Sequence, residues 1–180
     1  MSAKRKILNF IGFQIGWFSC AIGAGKGLQW FGPVVVLILI TLHLIFSENH
    51  KVEIFLIVVS GIGGTIIDSI LSSAGAFNFP GNPIAPVCPP FMIALWLNFA
   101  TVLNYSLAWL KKRLIPAAVL GFFGGPLAYY TGTQFGAITL TENATLSLGV
   151  IGVEWAIVTP ALFALAEHVN RKWNNTDAPK

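Results

Sequence analysis

Charge is what this chain has least of. Only 10% of its 180 residues are Asp, Glu, Lys or Arg, against roughly 25% in ordinary soluble domains. Seven acids and eleven bases cannot keep a 55% hydrophobic chain in water, which excludes a soluble globular enzyme. Cysteine is scarce too. Cys20 and Cys88 are too few for a disulfide framework and have no metal-ligand spacing, and they are not expected to pair with each other. The three histidines, His43, His50 and His168, fall short of the many imidazoles an iron-binding histidine box needs, and read as interfacial side chains rather than metal ligands. There is no P-loop, no dinucleotide-binding glycine fingerprint and no GxSxG elbow. The residues therefore point to no cofactor and no metal.

What the chain does have is long apolar runs. With a mean hydropathy of +0.73, it divides into six stretches of about 20 residues, the length that crosses a bilayer as a helix. These are 7–24, 29–46, 52–74, 91–110, 114–132 and 146–169. The first is not a cleavable signal, because Gln14 interrupts it and "AIGAGKG" runs straight into the next apolar stretch. The expected fold class is an all-α membrane protein: a bundle of six transmembrane helices forming a single domain over 1–180.

Basic residues orient the bundle. With the N-terminus cytoplasmic, the inner segments carry Lys4, Arg5, Lys6, Lys51, Lys111, Lys112, Arg113, Arg171, Lys172 and Lys180, and the outer segments only Lys26. That asymmetry follows the positive-inside rule and places both termini in the cytoplasm. It also accounts for the pI near 9.3 without nucleic acid, since basic helix ends meet anionic headgroups.

On the outer side lies "FPGNPIAPVCPP", residues 79–90, which holds half of the ten prolines. Pro80, Pro83, Pro86 and Pro89 repeat at the three-residue period of a polyproline II helix. The segment reads either as a rigid cap, with Pro89 or Pro90 starting the next helix, or as a lid over a cavity.

Small residues mark the faces on which helices meet, since packing rather than hydrophobicity drives association in lipid. Gly61, Gly64, Thr65, Asp68 and Ser72 share one helical face. Gly121, Gly124, Gly125 and Ala128 make another, and Gly12 and Gly16, continued by Ser19 and Gly23, a third.

Two acids, Asp68 and Glu154, are read as lying deep in the spans. A charge near mid-bilayer costs at least ~2.5–3.5 kcal/mol on insertion scales, so intramembrane acids mark functional positions. Both fall roughly 10 Å below the outer boundary at the helical rise per residue, with Asn98 at a similar depth and Tyr129 and Tyr130 near the outer end of the fifth span. Asp68 is expected to face a polar cavity open to the outer side, near Asn98 and one of the two tyrosines. Glu154, beside Trp155, has the option of reaching an interfacial position. The alternative is a structural polar cluster with the carboxyls neutral or hydrogen-bonded.

The stretches "LNFIGFQIGWFSCAIGAGKG", "IIDSILSSAGAFNFPG", "LWLNFATVLNYSLAWL" and "GFFGGPLAYYTGTQFGAITL" resemble DUF2878, an uncharacterised bacterial inner-membrane family. The resemblance spans nearly the whole chain and falls on Gln14, Trp17, Asp68, Trp96, Asn104, Ser106, Trp109, Gly125, Pro126 and Tyr129. The chain departs from the pattern at Phe91, where the family often has tryptophan, and at Glu154, which is outside it. The resemblance implies a multi-pass inner-membrane fold and, through the genes that often neighbour the family, a link to fatty-acid modification or the response to photo-oxidative stress.

Three functions are expected in order. The first is a non-catalytic lipid-binding or scaffold protein, its partners membrane lipid and a lipid-modifying enzyme or a second copy of the chain. The second is a small transporter or substrate-binding membrane subunit with a site around Asp68. The third is an intramembrane enzyme using Asp68 as acid or base, for which the sequence offers no partner nucleophile.

Overall fold

The structure, a computed structural model, describes residues 2–176; Lys180, counted above among the inner charges, lies outside them. In chain order the elements are α1 (Ala3–Gly25), α2 (Phe31–Phe46), α3 (His50–Ser73), β1 (Phe77–Asn78), α4 (Pro90–Ala100), a 3-10 turn (Ala108–Leu110), α5 (Leu114–Gln134), β2 (Thr139–Leu140) and α6 (Ala144–Thr176). The chain is thus built from helices, and α1, α3, α5 and α6 are long and apolar enough to cross a membrane. α2 and α4 are apolar but have only 16 and 11 residues. At the helical rise they reach roughly 24 and 16 Å, short of a hydrocarbon core of about 30 Å. Large apolar side chains face outward, with Phe46 70% and Ile115 80% exposed, as lipid as solvent allows.

The chain itself sets where the helices begin and end. Ser2 accepts from Arg5 N, Asn49 from Val52 N and Asn143 from Leu146 N, capping α1, α3 and α6. Pro89 is the N-cap of α4 and Pro90 its first residue. At the end of the bundle that carries the proline segment, three helices stop in the same way. Gly27, Gly75 and Gly136 have φ of 76°, 79° and 79°, and the next residue's N–H reaches back to the carbonyl five positions earlier, at 2.8 to 3.0 Å. This is the Schellman termination, open to glycine because it lacks a Cβ.

α4 sits at the centre, packed against α1, α2 and α3; α5 and α6 form a hairpin, and α3 joins that hairpin through α6. Glycines set the spacing. A Cβ on Gly64 would lie inside the Trp96 indole, one on Gly125 inside the Trp155 indole, and one on Gly121 on the Trp155 backbone. Trp96 and Trp155 then stack with centroids 4.8 Å apart and planes 11° from parallel. Gly61 faces Leu97 and Gly16 faces Asn98, whereas Gly12 meets only the tip of Leu39 and Gly124 meets nothing within 4 Å.

Residues 91–110 do not form one continuous helix. The helix expected over 91–110 stops at Ala100, and residues 101–107 continue in tight turns. Successive N–H groups there bond to carbonyls three residues back, and Thr101 Oγ1 donates to Asn98 O at 2.7 Å. Val102 and Leu103 are fully buried. Irregular backbone at this depth needs partners from neighbouring elements, and Asn9 of α1 supplies them. Its Nδ2 donates to Thr101 O at 3.0 Å, and its Oδ1 accepts from Ser106 N at 3.1 Å and Ser106 Oγ at 2.7 Å.

The proline segment is also more compact than its three-residue period suggests. Asn82 gathers it into turns, donating to Val87 O at 2.8 Å and accepting from Ile84 N at 3.1 Å. It is tied down by Cys88 N, which donates to Ser69 Oγ at 2.8 Å. Next to it, β1 pairs antiparallel with β2, Phe77 opposite Leu140, so the loops after α3 and α5 close over the bundle together.

Candidate functional site

Asp68 lies on the glycine face of α3 and is fully buried. Trp96 Nε1 of α4 donates to its Oδ2 at 2.6 Å, and the Tyr129 hydroxyl of α5 donates to its Oδ1. One carboxyl therefore ties three helices together, and two donors offset its desolvation. Phe77 closes the proline end, its ring centroid 5.1 Å from that of Tyr129, with Phe79 edge-on beyond it. Buried Cys88 completes this roof, and burial together with nearby Asp68 pushes its thiol up to about 12. Cys20 is buried and free as well.

The expected neighbours of Asp68 divide. Tyr129 joins it, while Tyr130, next in the chain, is 50% exposed on the outer surface of α5. Asn98 does not approach the carboxyl; it donates to Phe13 O at 2.9 Å. Glu154 lies within electrostatic reach of both Asp68 and Tyr129. Its two carboxyl oxygens are buried without a hydrogen-bond partner among the described residues, so the interfacial placement expected beside Trp155 is not the one observed. Asn104 belongs to a different cluster, described below. Ser106 serves Asn9, and Trp109 is 52% exposed.

In place of a polar cavity open to the proline end, the structure has an apolar cleft of about 380 Å³ on the side of the bundle. Gln14, Trp17 and Ala21 of α1 form one wall and Gly121, Gly124 and Ala128 of α5 the other, with Trp96 and Trp155 behind. The helices part here because α1 and α5 approach closely only near the roof, where a Cβ on Gly25 would meet the Phe135 carbonyl. Asp68 does not line the cleft; it holds the indole and the phenol of two residues that do.

The lining has no Lys or Arg, and its few polar groups are under-used. Gln14 makes no hydrogen bond among the described residues, and Thr159 Oγ1 is fully buried without a partner among them. Such a surface can hold an apolar chain and offer hydrogen bonds to a polar group on it. Acid–base work by Asp68 is poorly served, since both of its oxygens are engaged. The sequence held the signal for preferring Tyr129 over Tyr130: Gly121, Gly125, Tyr129 and Gly132 recur at i, i+4, i+8 and i+11 on the buried face of α5.

Sequence reasoning missed one acid, Glu53, because it begins the third span and reads as a helix-end charge. It is only 3% exposed. His43 Nε2 lies 2.8 Å from its Oε2 and Asn104 Nδ2 donates to its Oε1 at 2.7 Å. Asn170 of α6 in turn donates to Asn104 Oδ1 at 2.8 Å. His43, expected at the interface, is thus a largely buried member of a four-residue network, its side chain 9% exposed. An acid ten residues after a histidine, in the first turn of the next helix, was the available signal.

The family model described as "Protein of unknown function (DUF2878)" matches residues 6–161. No curated protein and no solved structure matches the chain.

Proposed function

The chain belongs to the DUF2878 family, and on that premise we propose that it is a lipid-binding membrane protein with no catalysis of its own. In this reading the lateral cleft takes an apolar chain from the bilayer, and Gln14 meets a hydrogen-bonding group on it. The observation that carries the reading is the apolar lining of the cleft, broken by the partly exposed Gln14, which makes no hydrogen bond among the described residues, as suits an apolar chain carrying one polar group. The side opening favours a lipid over a soluble substrate, since the proline end is roofed. The protein then presents its lipid to a modifying enzyme, or acts as a scaffold for one, alone or paired with a second copy.

The proposed setting is a bacterial inner membrane, with six crossings and both termini cytoplasmic. α2 and α4 complete their crossings with the flanking segments, α4 through the turns over 101–110. A second reading, a small transporter or substrate-binding subunit, draws on that break in α4, since discontinuous helices often surround transport sites. Flux of lipid in proteoliposomes would favour it.

Gly124 gives a clean test, because its missing Cβ faces open cleft. Native mass spectrometry of gently extracted protein should find a retained amphiphile in the wild type and lose it in Gly124→Leu, with thermal stability unchanged. Equal retention by both proteins would remove the cleft from the account.

A further inference from the structure

α1 and α2 form a V. At the proline end they touch, and a Cβ on Gly32 would collide with the backbone of Cys20. Near the middle, a Cβ on Gly12 would meet only Leu39, at 3.9 Å. Beyond that point the helices part around a second cavity of about 420 Å³, separate from the lateral cleft and at the opposite end of the bundle.

This cavity is amphipathic along its length. Gly12, Phe13 and Leu39 line its deeper part, while Arg5, His43 and Tyr105 stand toward the terminal end of the bundle. The polar groups there are braced yet only partly used. Glu53 holds His43 through Nε2, and the edge of the Tyr105 ring fixes the imidazole with centroids 4.8 Å apart, leaving Nδ1 as the remaining ring nitrogen. The Tyr105 hydroxyl accepts a long 3.4 Å bond from Glu48 N, so its own proton is available to donate. Arg5 gives one nitrogen to Glu48 at 3.1 Å in a pair that is 54% and 72% exposed, and a guanidinium has further donors to spend. Lys4 and Lys6 flank it on the exposed first turn of α1. Arg5 is the cation that lines this mouth and pairs with Glu48, while Glu53 is turned inward to His43 and Asn104.

We propose that this second cavity binds an anionic phospholipid, its phosphate held by Arg5 and Tyr105 beside His43 and its chain lying along Gly12, Phe13 and Leu39. Polar donors at one end and an apolar trough at the other suit an amphiphile, and the spare guanidinium donors of Arg5, with Lys4 and Lys6 on the same exposed turn of α1, favour a negatively charged headgroup over a zwitterionic one. The site shares with the cleft reading only the premise that the bundle lies in a membrane.

The test uses the full chain in detergent with added phosphatidylglycerol, phosphatidylcholine of the same chains, or inorganic phosphate, read by native mass spectrometry and thermal shift. Phosphatidylglycerol should be retained and raise the melting temperature, phosphatidylcholine should be retained about fivefold less, and inorganic phosphate should do neither. Gly12→Phe should fill the trough and abolish this retention, whereas Gly124→Leu should leave it intact, which separates the second site from the cleft. Arg5→Gln, at an exposed position, should lower the preference for phosphatidylglycerol about fivefold and decides the matter should Gly12→Phe fail to fold. Equal retention of the two lipids, stabilisation by phosphate alone, or wild-type preference in Arg5→Gln would overturn the assignment.

Discussion

Replacing Asp68 by asparagine leaves an acceptor for Trp96 Nε1 and sets an amide N–H against Tyr129, whose hydroxyl can rotate to accept it. Replacing it by leucine strands both donors in a fully buried site. The expected order of stability is wild type, then Asp68→Asn, then Asp68→Leu, with the leucine variant lower by about 1–3 kcal/mol. Thermal unfolding in detergent checks it, and a leucine variant as stable as wild type would show that the carboxyl does not hold the bundle. The burden on Asp68 was legible in the sequence as an acid on a glycine face. Its partners were less so. Asn98 shares its approximate depth but points to α1, because depth along a helix says nothing of direction around it. Glu53 escaped for a related reason: a first-turn acid normally serves the helix dipole, and only the approach of α2 and the chain after α4 reveals it as buried.

At the scale of elements, the glycines divide by what their missing side chains would meet. Gly64→Ala drives a methyl into the Trp96 ring, and Gly125→Leu drives a larger group into Trp155; each should lose about 1–3 kcal/mol or more through overpacking. Gly124→Ala meets open space and should be neutral or gain up to about 1 kcal/mol from helix propensity. A thermal-shift series over the three sites reads the contrast, and similar losses at Gly124 and Gly64 would contradict the packing described. The small-residue pattern identified the glycine faces in advance but could not separate Gly124 from Gly125, since adjacent positions differ only by the 100° turn of the helix. The end of α4 was hidden for another reason. "TVLNYSLAWL" is apolar enough to read as the continuation of a span, and its break depends on Asn9, more than ninety residues earlier in the chain, supplying hydrogen bonds to Thr101 and Ser106.

For the whole molecule, the distribution of lysine and arginine and the four long helices agree on a bundle that lives in lipid. A reporter fused after the last residue should be active on the cytoplasmic side; activity confined to the far side would invert the proposed orientation. What the sequence could not convey is where the bundle is open. The roof built by Phe77, Phe79 and Cys88 and the parting of α1 from α5 both arise from contacts between distant segments, and neither leaves a periodic trace. The central claim, that the lateral cleft between α1 and α5 is occupied by a lipid chain, is tested most directly by photo-crosslinking with a diazirine-bearing fatty acyl probe in a bilayer, mapped residue by residue. The account predicts labelling concentrated on Gln14, Trp17 and Ala128, competed away by unlabelled lipid and lost in Gly124→Leu. Labelling spread evenly over outward side chains such as Ile115 and Phe46, and unchanged in that variant, would contradict it.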